Sequence, residues 1–397
     1  MRPSIARQAL AGAATVSALV LPLQPPSPVD RRAELVDLAP FGSFPTITPE
    51  EASSRAEKGL SLLFGSGAFG EEPWSPPSNA EIEDVDAADS SMKATEDVQD
   101  DSTTQAAAAG TCDANNPNIR FEWRNYQDTD RAAFVAAIQC LKAAPSAGSP
   151  FTASQNRYED LVSVHQQMTD QIHMVAQFLP WHRYFVWVFE QLMRDECGFD
   201  RAFPWWDETL DGGNFAASPL FTDAYFGPAT AVTADGQGTC IESGAFANTT
   251  LHVGPGTGNS DHCLSRAVNE TLSATVSSSF VNDCNSRTTY SDMESCQELG
   301  PHAYGHNAIG AVMAEVSSSV GDPIFFMHHL FVDHTFRIWQ NADAARLTTI
   351  NGCADKASPC TAVTMDTVLS SMGLRPDTTV GAVMDTLGGF LCYRYDH

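Results

Sequence analysis

Apolar side chains recur every three or four positions along five stretches in the later part of the chain. This period is typical of α-helices that bury one face. We therefore predict helices over about residues 129–142, 154–174, 180–198, 301–317 and 323–341. The region 211–300 is rich in Gly, Ser, Thr and Asn, which predicts long loops. Helices that carry the core, joined by long irregular connections, indicate a mainly α domain built as a helix bundle.

The first 110 residues do not carry this pattern. An apolar run, Ala9–Leu23, follows two arginines near the start, which is typical of a secretory signal peptide over residues 1–23. A short amphipathic helix is predicted over about residues 50–64, but the region around it is broken by prolines and then becomes dense in Asp and Glu. We predict an acidic disordered linker or pro-segment at 24–110 and a packed domain at 111–397.

The composition excludes some partners. The 397 residues include 22 lysines and arginines against 49 aspartates and glutamates, which gives a formal net charge of −27. A chain this acidic repels phosphate backbones, so nucleic acid is not an expected partner. No apolar run reaches the roughly 20 residues that a membrane-spanning helix needs. The composition does not exclude small neutral or cationic ligands.

The ten cysteines point to an oxidising compartment. None of them forms a Cys-x-x-Cys pair, so disulfide bonds are expected, with the pairing left open. Asn248 and Asn269 begin triplets that accept N-linked glycans. Together with the signal peptide, these features predict a protein of the secretory pathway.

Histidines occur at helical spacings on the predicted helices. His302 and His306 are four residues apart, so they share one helix face and can reach one metal ion. His329 lies in the next predicted helix. A second set consists of His165, His173 and His182, at separations of eight and nine. Imidazoles without cysteine or carboxylate neighbours suit copper, nickel or zinc better than Mg²⁺ or Ca²⁺.

These histidines lie in segments that resemble the tyrosinase family, which also includes catechol oxidases and haemocyanins. The segments that carry the resemblance are His173–Arg183 with Glu190, Asp322–Asp333, His302–Gly310, Phe203–Asp207 and Tyr393–Tyr395. The first and second are similar to the two copper signatures of the family. The spacing of eight between His165 and His173 is similar to that of short fungal members.

The resemblance implies a tyrosinase central-domain fold over 111–397, in which a four-helix bundle holds two copper ions. One ion would be bound by His165, His173 and His182, and the other by His302, His306 and His329. The implied reaction is oxidation of a small phenolic, catecholic or o-aminophenolic metabolite by O₂, in fungal secondary metabolism. Asp333, one helical turn beyond His329, could orient an imidazole or cap a neighbouring backbone group.

Several positions depart from the family pattern. Gln171 stands where many fungal and plant members carry a cysteine linked to a histidine, so that crosslink is absent. Ala303 replaces an asparagine of monophenol-hydroxylating members, and alanine cannot form a side-chain hydrogen bond. Asn307 could substitute and control the substrate, and His334 replaces a usual arginine. We therefore expect oxidation of catechols or o-aminophenols rather than of monophenols.

Two other functions remain open from the sequence. A zinc-dependent lyase of the cyclopenase type, from alkaloid biosynthesis, would use the same histidines without redox chemistry. The other alternative is an oxygen carrier similar to haemocyanin. The chain ends soon after Tyr395, so a C-terminal covering domain is not expected. If the site is restrained before maturation, the acidic segment 24–110 is the candidate.

Overall fold

The computed structural model describes residues 43–57, 114–233 and 238–397. The predicted signal peptide, most of the predicted acidic segment and the end of its predicted helix lie outside the described residues. The helices are α1 (Pro49–Glu57), α2 (Asp128–Ala143), α3 (Arg157–Ile172), α4 (Phe178–Cys197), α5 (Glu270–Ser273), α6 (Ser278–Asn285), α7 (Tyr290–Gln297), α8 (Ala303–Ile309), α9 (Ile324–Asn341) and α10 (Val380–Met384). A π-helical turn, Glu298–His302, joins α7 to α8.

The strands are short. They are β1 (Asn118–Glu122), β2 (Phe203–Trp205), β3 (Thr239–Cys240), β4 (Thr250–Leu251), β5 (His262–Cys263), β6 (Ser265–Arg266), β7 (Val368–Leu369), β8 (Thr378–Thr379) and β9 (Tyr393–Tyr395). β1 lies between β2 and β9 in a parallel sheet, in which Arg120 is aligned with Phe203 and Tyr395. The other strands form two-stranded antiparallel pairs within the loops. The expected mainly α architecture is confirmed.

Helices α3, α4, α8 and α9 form the core bundle. Tyr158 on α3, Phe189 on α4 and Phe326 on α9 are fully buried and pack against one another, with the rings of Phe189 and Phe326 stacked at 3.7 Å. The side chain of Asn156 accepts the Glu159 N–H and so caps the start of α3. Gly198, at φ 65°, ends α4 in the left-handed conformation that glycine favours.

Two predictions about secondary structure were wrong. The helix expected over 301–317 ends at Ile309, because Gly310 adopts φ 72° and ψ −173° and a Cβ there would lie 2.6 Å from the Ala267 carbonyl oxygen. Residues 311–321 continue as 3₁₀ turns and loop. The region 211–300 is not loop throughout, since α5, α6 and α7 lie in it. The side chains of Ser277 and Thr289 cap α6 and α7.

Asp333 does not contact an imidazole, so it does not orient one. It lies instead in a buried cluster of charged and tyrosine side chains. Its carboxylate accepts hydrogen bonds from Arg120, Arg183, Tyr393 and Tyr395, all buried. Arg120 lies on β1 and the tyrosines on β9. The cluster therefore ties the three-stranded sheet to α4 and α9.

Four disulfides connect described residues: Cys140–Cys197, Cys240–Cys263, Cys284–Cys296 and Cys353–Cys360. The first joins α2 to the end of α4, the third joins α6 to α7, and the other two lie in segments between helices. These four bonds give the pairing of eight of the ten cysteines. Within the described ranges, no helix has both the length and the apolar character needed to cross a membrane.

Candidate metal centre

The first set of histidines comes together at the junction of α3 and α4. His165 lies on α3, His173 follows the last residue of that helix, and His182 lies in the second turn of α4. Their ring centroids are 5.0 to 5.6 Å apart, and all three side chains are buried. The structure thus brings together the three residues that the sequence selected.

The second set comes together between α8 and α9. The ring centroids of His302, His306 and His329 are 4.6 to 5.4 Å apart. The Nε2 atoms of His306 and His329 are 3.3 Å apart. All three rings are buried. This set also matches the sequence prediction in position.

The two sets face each other across one buried space. The rings of His182 and His329 stack at 4.3 Å and lie within 13° of parallel. His173 and His302 approach to 6.3 Å between ring centroids. Two metal ions held by these sets would therefore be neighbours.

Backbone carbonyls fix the orientation of most of these imidazoles. The Nδ1 atoms of His165, His173, His182, His302 and His306 lie 2.7 to 3.1 Å from backbone oxygens. The acceptors are the carbonyls of Ser317, Thr169, Phe178, Glu298 and Met313. An Nδ1–H that donates to a carbonyl leaves the lone pair on Nε2, the tautomer that a metal requires.

Burial keeps the imidazoles neutral. It lowers the pKa of His165 to about 4, with the Ser317 carbonyl opposing the shift. Burial, together with neighbouring imidazoles, lowers the pKa of the other five well below the ordinary value. Among the described residues, the buried Nε2 atoms of His173 and His302 have no hydrogen-bond partner. Six neutral nitrogen donors aimed at two points fit copper or zinc.

The sequence analysis did not select His328, which joins the second cluster. The His328 ring is fully buried and lies 4.4 Å from His306 and 5.3 Å from His302. Its Nδ1 is 2.7 Å from a carboxylate oxygen of the buried Glu208. Burial lowers the pKa of His328 to about 3 and raises the pKa of Glu208, so it disfavours the charged form of each group. The adjacent histidines at 328 and 329 were the only sequence signal.

A buried carboxyl pair, Glu294 and Glu298, borders the first cluster. The carboxylate of Glu298 accepts the Met174 N–H at 2.8 and 3.0 Å. Met174 has φ 59°, so this contact holds the turn that follows His173 in an unusual conformation. Burial raises the pKa of Glu298 to about 7, and burial together with the neighbouring Glu298 raises the pKa of Glu294.

The positions that depart from the family pattern lie in different surroundings. Ala303 is buried beside His302, whereas Gln171 is exposed. His334 stacks on Trp205 at 4.0 Å and its Nε2 lies 2.9 Å from the His397 carbonyl oxygen. The side-chain amide of Asn307, the residue after His306, accepts the Phe44 N–H and donates to the Phe44 carbonyl.

Phe44 is a second residue that the sequence did not indicate. Its ring stacks on that of His306 at 4.2 Å and meets His302 edge-on at 5.2 Å. Phe178 and Phe325 lie deeper and contact the imidazoles from the helices, at 4.7 Å from His182 and 4.1 Å from His329. The centre is therefore enclosed by aromatic rings.

Known proteins are similar to this chain in sequence and fold. Residues 155–342 match the family model for the common central domain of tyrosinase. Tyrosinase P of Aspergillus terreus is 31% identical over 349 residues, which covers 72% of this chain and 95% of that protein. The N-acetyl-6-hydroxytryptophan oxidase of Emericella nidulans is 27% identical over 356 residues, covering 74% and 96%. A variant of polyphenol oxidase from Thermothelomyces thermophila superposes with a TM-score of 0.65 at 27% identity, covering 72% of this chain and 91% of that one. The chain therefore belongs to the tyrosinase family, a family of dinuclear copper proteins.

Proposed function

We propose that this protein is a secreted dinuclear copper oxidase that uses O₂ to oxidise a small catechol or o-aminophenol. One observation carries the proposal: two sets of three buried, neutral imidazoles face each other, with five of the six Nδ1 atoms held by backbone carbonyls. His165, His173 and His182 would hold one copper ion, and His302, His306 and His329 the other. The bound pair would supply O₂ binding and a two-electron oxidation.

The chain's own residues orient the donors and exclude water. The carbonyl contacts fix five of the six rings, because rotation would break a buried hydrogen bond. Phe178 and Phe325 cover the faces of the imidazoles, so the centre has a low local polarity that favours neutral, aromatic substrates. Glu208 holds His328 beside the second set.

We infer the substrate class from the residues beside His302 and His306. Ala303 offers no polar group to accept the proton of a monophenol. Catechols and o-aminophenols need less assistance because they are already activated for two-electron oxidation. The oxidase of Emericella nidulans is named for a hydroxytryptophan substrate, which supports a small hydroxylated aromatic substrate here. A role in fungal secondary metabolism is part of the proposal.

Secretion and the choice of copper are parts of the same proposal. Four disulfides among the described residues agree with an oxidising compartment. The relatives are named as tyrosinases and oxidases, which favours oxidation over the zinc-dependent lyase reaction.

Metal analysis and O₂ uptake test the proposal. We expect about two copper ions per chain after expression with copper and zinc both supplied, and O₂ consumption with 4-tert-butylcatechol and 2-aminophenol but little with tyrosine. The full chain and a Phe44→Ala variant should be assayed together, because Phe44 covers the site. His182→Ala is the matched inactive control. Zinc in place of copper, or no O₂ uptake by either protein, would contradict the oxidase function.

A further inference from the structure

His173 differs from the other five histidines of the centre in its backbone. The others lie in α-helical or π-helical turns, whereas His173 follows the end of α3 with φ −127° and ψ 143°. Met174, the next residue, has φ 59°. The Nδ1 atom of His173 lies 3.1 Å from the Thr169 carbonyl oxygen, the longest of the five such contacts. The position of this imidazole therefore depends on contacts from other parts of the chain.

A loop closed by a disulfide supplies several of those contacts. We call residues 350–363 the disulfide loop, because the bond between Cys353 and Cys360 lies within it. The Cys353 carbonyl accepts the Ala176 N–H at 2.7 Å. Ala176 lies three residues after His173, in the short connection between α3 and α4. The disulfide loop is thus hydrogen-bonded to the backbone of the connection that carries the imidazole.

Two side chains extend this attachment to the end of α3. The side-chain amide of Gln177 donates to the carbonyls of Ala354 and Gln171, both at 2.8 Å. The Lys356 ammonium lies 3.1 Å from the Asp170 carboxylate, whose side chain is 94% exposed. Such an exposed ion pair contributes little, so the hydrogen bonds make the attachment.

The backbone of the disulfide loop lies directly against the connection. A Cβ at Gly352, which has φ 121°, would lie 2.8 Å from the Cβ of Ala176. Cys353 is buried, whereas residues 356–359 are exposed and irregular. A covalent bond across such a span restricts the paths that its backbone can take. The disulfide therefore fixes the carbonyls to which the connection is bonded.

We infer that the Cys353–Cys360 disulfide is a positioning element for His173, which it holds in place for the first metal ion through the carbonyls of Cys353 and Ala354. The inference rests on the proposed function only in taking His173 as a metal ligand, and not on the oxidase reaction. In the second set, His302 and His306 are oriented by the Glu298 and Met313 carbonyls. Loss of the disulfide should therefore weaken the first metal site and spare the second.

Zinc release measures this effect without turnover. The Cys353→Ser/Cys360→Ser protein and the natural chain are loaded with zinc, and release to the chromogenic chelator 4-(2-pyridylazo)resorcinol is compared. Loss of an outer contact that orients a metal-bound histidine lowers metal affinity about 10- to 100-fold. We expect a loss of at least about tenfold for one zinc ion and of less than about twofold for the other.

Cys140→Ser/Cys197→Ser is the matched control. Its disulfide closes a sequence separation of 57 rather than 7, so its removal should destabilise the fold more. The control should therefore have the lower urea midpoint of the two variants but hold both zinc ions within about twofold of the natural chain. Zinc affinities that follow the urea midpoints would show a general loss of stability and would overturn the inference.

Combination with ligand substitutions assigns the effect to His173. Adding Cys353→Ser/Cys360→Ser to His173→Ala should cause no further loss of zinc affinity, whereas adding it to His329→Ala should still cause the full loss. Equal further losses on both backgrounds would overturn the inference. Retention of both zinc ions by His173→Ala would refute the ligand assignment and the inference with it, whereas a copper-loaded natural chain without O₂ uptake would refute only the oxidase.

Gly352→Ala tests the same contact with the disulfide intact. The new Cβ must push the loop and the connection apart, so this variant should also release one zinc ion more readily. Gly148→Ala is its matched control: Gly148 also has a positive φ, 81°, but no atom of the described residues lies within 4 Å of a Cβ there. The inference is overturned if Gly352→Ala holds zinc as the natural chain does, even where the cysteine variant fails to fold.

Discussion

The buried carboxylate of Asp333 is the point at which a single change should weaken the fold most directly. It lies 2.5 Å from Nε of Arg183 and 3.3 Å from Nη1 of Arg120, and it accepts the hydroxyls of Tyr393 and Tyr395. Burial opposes its ionisation, but Arg183 and Arg120 outweigh burial and hold its pKa below the ordinary value. The ionised form is therefore built into the native state.

Asp333→Asn keeps the shape of the side chain and removes its charge. One arm of the amide becomes a donor, so it faces the guanidinium groups of Arg120 and Arg183 with the wrong polarity. Glu190, 3.1 Å from Arg120, remains as a counter-charge. Because breaking a buried ion pair on one side costs about 3–5 kcal/mol, we expect a loss of about that size in the free energy of unfolding.

Urea unfolding followed by tryptophan fluorescence measures this loss, with the disulfides intact and both proteins free of metal. The matched control is Asp195→Asn, which removes an ion pair with Arg375 at a carboxylate whose side chain is 65% exposed. Exposed pairs contribute about 0–1 kcal/mol. The reasoning is refuted if Asp333→Asn costs no more than Asp195→Asn.

Three further predictions concern the centre itself. His182→Ala and His329→Ala should each abolish catechol oxidation and lower copper binding while far-ultraviolet circular dichroism stays unchanged; turnover by both variants would refute the assignment. Gly305→Ala should destabilise the protein by about 1–3 kcal/mol through overpacking, since a Cβ there would lie 2.5 Å from His328 and 2.7 Å from Glu208; thermal melting would show it, and an unchanged Tm would contradict it. The metal-free protein should lose about 3 kcal/mol of stability from His165 alone as the pH falls from 6.5 to about 4. Over that range the unfolded chain binds a proton at His165, whereas the native imidazole, with a pKa of about 4, does not. Equal urea midpoints at pH 7 and pH 4.5 would disprove this.

The apolar period predicted helices wherever a helix buries one face. Helices α2, α3, α4 and α9 lie close to the predicted bounds. The buried positions of α2 recur at the helical period, whereas α4 and α9 are buried over most of their length. After Ile309 the same apolar pattern predicted a helix that the structure does not have. Val312 and Met313 are fully buried in a 3₁₀ turn, so the pattern reported burial there and not helix. Gly310 was the signal that the helix stops.

The histidines of the centre could be predicted because their spacing and their motifs lie in the sequence. Their surroundings could not. Phe44 meets Asn307 across a separation of 263 residues, and Glu208 meets His328 across 120. Neither contact has a local pattern, since each depends on how distant segments pack. Restraint of the site by residues 24–110 stays a prediction; Phe44 lies within that range.

The partners of the imidazoles show why the centre depends on the whole fold. His173, His182 and His302 each donate to the carbonyl four residues earlier, so a single helical or π-helical turn fixes each ring. His165 and His306 instead donate to the carbonyls of Ser317 and Met313, which lie in the loop between α8 and α9.

That loop therefore contributes one contact to each half of the centre although it carries none of the six histidines. Its path is set where Gly310 breaks α8, because the turn returns the Met313 carbonyl to His306, seven residues earlier. A helix that continued to residue 317, as the apolar pattern predicted, would carry both carbonyls away from the imidazoles. The break in α8 is thus a requirement of the centre, and the two sets of histidines are coupled through one short segment of backbone.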